Sequence, residues 1–249
     1  MLDFPLYRNN SYVVRWSGDV FETQYPADLF QGLRGHRSVS NESREGVTLE
    51  KRRIPHLRRS ELPIDTVYLA RYLIGKTLVH DLTEGRTSGR IVETEAYVIG
   101  DASGHAFRGQ TPRNRSLYLE RGHAYVYFVY GSSYLLNVTS ELPGVGAGVL
   151  LRALEPLEGI AVMQARRGTT RLLDLARGPG RLSVAMSINT ENDGLDLCTD
   201  RFLWLGRAVR QAGSIGESGR IGLMREVKRL LRFYESGNPF VSGPKRLRV

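Results

Sequence analysis

Cysteine is nearly absent from this 249-residue chain, where Cys198 stands alone. One thiol excludes an internal disulfide and any multi-cysteine zinc or iron–sulfur centre. Long apolar runs are missing as well. No stretch of about 18 such residues occurs, which argues against a transmembrane helix. The start of the chain lacks the basic-then-apolar order of a secretory signal, and its early acids do not suit an organellar transit peptide. Lysine is scarce: only Lys51, Lys76, Lys228 and Lys245 are lysines, so nearly all of the 35 basic residues are arginine. Acids number 26, giving a formal net charge of +9. What remains is ordinary, with 41% hydrophobic and 24% charged residues. That composition is globular, and the length allows one sizeable core plus an extension.

The positive surplus lies mainly after residue 62. It suits a polyanion partner, because cationic side chains release the counterions condensed on phosphates. An arginine-favouring genome would leave the same imprint. Residues 1–62 differ from the rest. They hold polar stretches such as Ser38–Gly46 and a basic run from Lys51 to Arg59, yet also Phe4, Tyr7, Trp16, Phe21, Tyr25 and Phe30. Without a sustained period, this segment is expected to be a poorly ordered extension. A DNA-tethering arm and a non-native leader are both open readings.

From Ile64 the pattern tightens. Asp65 is placed to cap a helix ending near Gly75. Strands are expected over residues 76–82, 90–97, 123–130, 134–139 and 149–154, with a turn over 83–88. Residues 131–133 form a hairpin signal. Helices are expected over 159–167, 170–177 and 181–186. Residues 63–249 therefore read as one mixed α/β domain built on antiparallel sheet.

Three segments carry chemistry. In Ile91-Val92-Glu93-Thr94-Glu95-Ala96-Tyr97, strand alternation puts Glu93, Glu95 and Tyr97 on one face. Acids on a mostly apolar strand are either solvated or at work as base or ligand. Tyr125-Val126-Tyr127-Phe128-Val129-Tyr130 leads into a turn that would set Tyr130 at a hairpin tip, where an aromatic can wedge between stacked bases. A three-residue loop over 131–133 would face Tyr127 with Asn137; a two-residue loop would separate them. Arg152 interrupts the apolar strand Leu150–Leu154 and needs an anionic partner, for which Glu155 and Glu95 are candidates. His105 lies in a glycine-rich loop ahead of Thr111-Pro112-Arg113-Asn114.

Together these segments resemble the alkyladenine (3-methyladenine, methylpurine) DNA glycosylase family. The likeness spans about Leu69 to Ser242. Its strongest parts are Gly89–Tyr97, Thr111–Asn114, Tyr125–Gly131, Asn137-Val138 and Leu150–Gly159, with Gly178-Pro179 and Arg232-Phe233-Tyr234. The resemblance implies an α+β domain with a curved antiparallel sheet and a protruding hairpin that enters DNA. It implies Glu95 as the general base that activates water and Arg152 as its partner. Tyr97, His105 and Tyr127 would wall the extruded base, Asn137 would exclude normal guanine, and Tyr130 would fill the gap in the stack. Arg113, Arg181 and Arg220 are candidate contacts to the DNA backbone. The implied partner is double-stranded DNA bearing damaged purines, with no membrane, no metal and no cofactor. The enzyme is expected to be a monomer, cytoplasmic and nucleoid-associated in a bacterium, or nuclear in a eukaryote. No lysine falls within the pocket motifs, so a monofunctional glycosylase without lyase activity is expected. Two rival readings are a glycoside hydrolase using Glu93 and Glu95, about 6.6 Å apart along a strand, and a non-catalytic nucleic-acid-binding module.

Overall fold

A computed structural model describes the short strands at residues 6–8, 11–16 and 19–23, then residues 54–129 and 131–244. Tyr130, the expected wedge, lies outside the described residues. The chain divides into two compact units, residues 1–51 and 52–249. The first contains a three-stranded antiparallel sheet of β1 (Leu6–Arg8), β2 (Ser11–Trp16) and β3 (Asp19–Thr23). The second takes in Ile54, Leu57 and Leu62 as buried side chains, so ordered packing begins well before residue 63.

The second unit opens with α1 (Thr66–Leu73), and the Asp65 carboxylate accepts from the N–H groups of Val67 and Tyr68 as a cap. Thr66, Leu69, Ala70 and Leu73 are its buried residues, the spacing of a one-sided amphipathic helix. An eight-stranded antiparallel sheet follows, built from β4 (Thr77–Leu82), β5 (Gly85–Tyr97), β6 (Ala124–Val129), β7 (Ser133–Thr139), β8 (Gly148–Glu158), β9 (Leu203–Gly206), β10 (Ile215–Ser218) and β11 (Arg232–Glu235). The strand order is β10-β11-β5-β8-β7-β6, while β4 pairs with β5 and β9. The long strand β5 thus forks. Gly85–Arg90 pairs with β4 and Glu93–Glu95 with β11, and β8 runs along its other edge.

The main core includes Leu69, Leu73, Leu78, Ile91, Leu151 and Phe233. Burying each such side chain contributes roughly 1.5–3 kcal/mol. Thr94 points to the helix side of the sheet and donates to the Ala70 carbonyl at 2.9 Å. Among the described residues, no helix is long and apolar enough to cross a membrane.

Several elements differ from expectation. The turn over 83–88 shrinks to Thr83-Glu84, because Leu82 already pairs with Gly85. The helix expected over 170–177 is a single tight turn, Leu172–Asp174. Helix cannot continue there because the Ala176 carbonyl accepts from the Leu154 N–H and Arg177 bridges to Ala153 of β8. The other two helices appear as α2 (Ile160–Arg167) and α3 (Pro179–Ala185).

Candidate active site

Two register shifts build the site. Ile91 pairs with Leu154 and Glu93 with Ala153, yet Thr94 pairs with Leu151. Val92 and Arg152 are each left without an opposite partner. Such bulges re-aim side chains, and here Arg152 is brought between two acids. Its Nε donates to Glu93 Oε1 at 2.7 Å, and a terminal nitrogen lies 3.1 Å from Glu95 Oε1. Glu155, the adjacent candidate, is not the partner of Arg152. It faces Arg90 and Arg210 instead.

Glu93 and Glu95 are both 0% exposed, but their surroundings push them apart. Burial alone would raise the Glu93 carboxyl. The Arg152 and Arg232 guanidinium groups outweigh it and hold Glu93 below the usual carboxylate range. Arg232 Nε donates to Glu93 at 2.7 Å, as do the Ser242 N–H at 2.6 Å and the Ser242 hydroxyl at 2.8 Å. This saturated acid is an anchor. It cannot flank a sugar opposite Glu95, which removes the paired-carboxylate reading. Burial also raises Glu95, and there it prevails over Arg152, the Ile221 N–H at 2.7 Å and the Tyr97 hydroxyl at 3.1 Å. A carboxylate with a raised pKa is the stronger proton acceptor.

Tyr97 and Arg152 line a cavity of about 370 Å³ together with His105, Tyr125, Tyr127 and Asn137, within the usual range for small-molecule pockets. Glu95 sits one hydrogen bond behind this wall. His105 is carried by a loop that Asn114 fastens. The Asn114 amide donates to the carbonyls of His105 at 2.9 Å and Gly109 at 3.1 Å, while its oxygen accepts from the Thr111 N–H at 2.6 Å. That is the physical content of the Thr111–Asn114 motif. The His105 ring lies 4.2 Å from that of Tyr127 between centroids, and its Nδ1 is hydrogen bonded to the Tyr125 hydroxyl at 2.8 Å. Burial, then the nearby Arg113 charge, lowers the His105 pKa and favours the neutral ring.

Across the hairpin Val129 pairs with Ser133. Ser133 is part of β7 and not of a loop over 131–133. Tyr125 rather than Tyr127 therefore stands opposite Asn137, and Tyr127 keeps the same face one step along. The Asn137 amide donates to the Tyr125 carbonyl at 3.1 Å, which fixes its orientation at the cavity wall.

The three arginines expected to meet DNA diverge. Arg113 is exposed and donates to the Phe128 carbonyl at 3.4 Å. Arg181 is about half exposed and lies 3.3 Å from Asp174. Arg220 requires correction: its side chain is 0% exposed and paired with the equally buried Asp101, so it cannot reach a phosphate from this position. Sequence reasoning also missed Glu93 as the anchor of Arg152, and Ser242 and Ile221 as backbone donors to the two acids. No local pattern signals those long-range contacts.

A cavity walled by aromatic rings over a buried carboxylate–arginine pair, on a curved antiparallel sheet, is the architecture of a base-processing enzyme. The chain belongs to the methylpurine-DNA glycosylase (MPG) family, whose family model matches residues 60–239. Its relatives include a Mesorhizobium japonicum protein 64% identical over 193 residues, covering 78% of this chain and 93% of that protein. A Paraburkholderia phytofirmans protein is 56% identical, covering 78% and 91%. One from Chlorobaculum tepidum is 46% identical, covering 71% and 86%. Each of the three is provisionally named a 3-methyladenine DNA glycosylase.

Proposed function

We propose that this protein flips alkylated or deaminated purines, of the 3-methyladenine, 7-methylguanine, hypoxanthine and ethenoadenine class, out of duplex DNA and hydrolyses their N-glycosidic bond. The glycosidic bond is inaccessible inside a duplex, so the nucleotide must leave the stack at a cost of a few kcal/mol. Stacking on aromatic rings returns on the order of 1–3 kcal/mol per base. Rings with centroids 4.2 Å apart leave no room for a third between them, so the base stacks between Tyr97 and the His105–Tyr127 pair. Alkylation at N3 or N7 makes the purine cationic. Electron-rich rings then hold it more strongly, and it departs more readily.

In the chemical step the C1′–N bond breaks and its electron pair leaves with the base. Water attacks the oxocarbenium-like C1′ and gives its proton to Glu95, whose negative charge also stabilises the developing cation. Arg152 holds Glu95 in place, and Asn137 excludes the exocyclic amino group of normal guanine. None of the cavity-lining residues is a lysine, so the product is an abasic site without strand cleavage. Tyr130 fills the vacated space in the stack, and Arg113 and Arg181 meet the backbone of the DNA. The enzyme acts as a monomer.

The observation that supports this reading best is the hydrogen-bonded link from Glu95 to Tyr97, a wall of the cavity. The decisive experiment is single-turnover excision from lesion-bearing duplexes by Glu95→Gln. The variant is expected to keep its affinity for damaged duplex and to lose on the order of 100-fold or more in excision rate. Near-normal turnover would remove Glu95 as the base.

A further inference from the structure

We propose that Arg220 is a positioning residue for base excision. Its buried guanidinium holds the Tyr97 wall, the strand between Tyr97 and Glu95, and the segment 221–223, which also lines the cavity, in one geometry. This inference rests on the reading of Glu95 given above.

Three partners meet at this side chain, and the residue after it makes a fourth contact to the site. Its terminal nitrogens donate to the Asp101 carboxylate, one of them at 3.1 Å. The Ala96 carbonyl, between Glu95 and Tyr97 on β5, accepts from it at 3.0 Å. The guanidinium carbon lies 4.6 Å from the centroid of the Tyr97 ring. The next residue, Ile221, gives its N–H to Glu95 at 2.7 Å. One planar group therefore fixes the ring, the backbone behind it and a donor to the base. Asp101 is itself held, accepting from the Ser103 N–H at 2.9 Å.

A buried ion pair is weak support for stability, because desolvation opposes the attraction of its members. Arg220 Nε is moreover buried without a hydrogen-bond partner among the described residues. What the pair supplies is geometry. A guanidinium combines a rigid two-pronged fork with a flat face that stacks on an aromatic ring, and an ammonium offers neither. An ångström of drift in the wall or in segment 221–223 is enough to cost about 100-fold in rate.

The charged and titratable groups facing Glu95 are Glu93 and Tyr97 from its own strand, Arg152 from β8 and Arg232 opposite it on β11. Of these, Arg152, Arg232 and Glu93 make no contact with Arg220, whereas Tyr97 loses the guanidinium over its ring when Arg220 is replaced. Release of Ile221 would then withdraw a donor that favours the ionised form. The acid limb of the rate–pH profile would move to higher pH.

The test compares Arg220→Lys, Arg220→Met and Asp101→Asn with the wild-type chain. The measurements are affinity for lesion duplex, saturating single-turnover excision across pH, and thermal unfolding. The expected result is a saturating rate lowered about tenfold to 100-fold, affinity within threefold, an acid limb shifted upward, and no rescue by lysine. If an Arg220 variant fails to fold, Asp101→Asn frees the guanidinium while keeping side-chain volume, and the same signature is required of it. Rates within twofold of wild type overturn the proposal. So does a parallel fall of rate, affinity and melting temperature with the acid limb unmoved, the mark of a merely structural pair. Failure of the wild-type chain to excise, or full activity in Glu95→Gln, would instead reject the reading on which the proposal rests.

Discussion

The Tyr97 hydroxyl donates to Glu95 Oε2 at 3.1 Å, two positions away on the same strand. The wall of the cavity and the acid behind it are one hydrogen-bonded unit, so a change in either is felt by the other.

Tyr97→Phe keeps the ring and removes only that donor. Donation to a carboxylate favours its ionised form, so the Glu95 pKa, already raised by burial, rises further. The acid limb of the excision–pH profile is expected to move to higher pH, with little loss of affinity for lesion duplex. A limb that stays in place, or moves down, would show that the hydroxyl does not tune Glu95.

Glu93→Gln strips the shared partner from Arg152 and Arg232. Removing one member of a buried ion pair costs about 3–5 kcal/mol, because the remaining charge is left uncompensated. Urea unfolding should register a loss of that order. A change under about 1 kcal/mol would mean that the two guanidinium groups find other acceptors.

At the far end of β11, Glu235 accepts from Arg90 at 2.5 Å, from the Gly213 N–H at 2.8 Å and from Asn238 at 2.7 Å. Burial opposes ionisation, yet these donors bring its pKa down to about 2. A group whose pKa is lowered on folding contributes stability above its unfolded value, and that contribution fades as pH falls through the folded one. Glu235→Gln should therefore melt well below wild type at pH 7, with the gap closing between about pH 4.3 and pH 2. Thermal scans across that window check it; a gap independent of pH would contradict it.

Tyr130→Ser is expected to weaken lesion binding most in fully paired duplex, where opening the stack costs most, and least where the lesion is already mismatched. Affinities measured on both substrates decide the matter. Equal losses on the two would exclude a wedge.

Much of the site could be read in the sequence because its residues lie on long strands with clear alternation or in loops marked by glycine. Glu95 and Tyr97 share a face as strand period dictates, whereas whether Tyr127 and Asn137 do depended on a loop length the sequence left open, and the Tyr125–Asn137 pairing answers it by putting Tyr127 on the same face. Arg152 announced itself as a charge within an apolar run. Its true anchor did not, since choosing Glu93 depends on a register shift between two strands some 60 residues apart in sequence. Arg220 looked like a surface cation because Asp101, the acid that makes its burial tolerable, lies more than 100 residues away. The strands β9, β10 and β11 escaped detection because each is only four residues long, too short for a period to declare itself. Arg232 and Glu235, both buried, disguised β11 as a polar segment.

The fork in β5 also limits how this protein can vary. Substitutions along the strand change one side chain at a time. Loss or gain of a single codon between Ile91 and Thr94 would invert everything downstream, turning Thr94 toward the cavity and Glu95 toward α1. The half of the strand that carries Glu95 and Tyr97 is thus locked in phase with the half that pairs with β4, and length variation must be confined to the loops on either side.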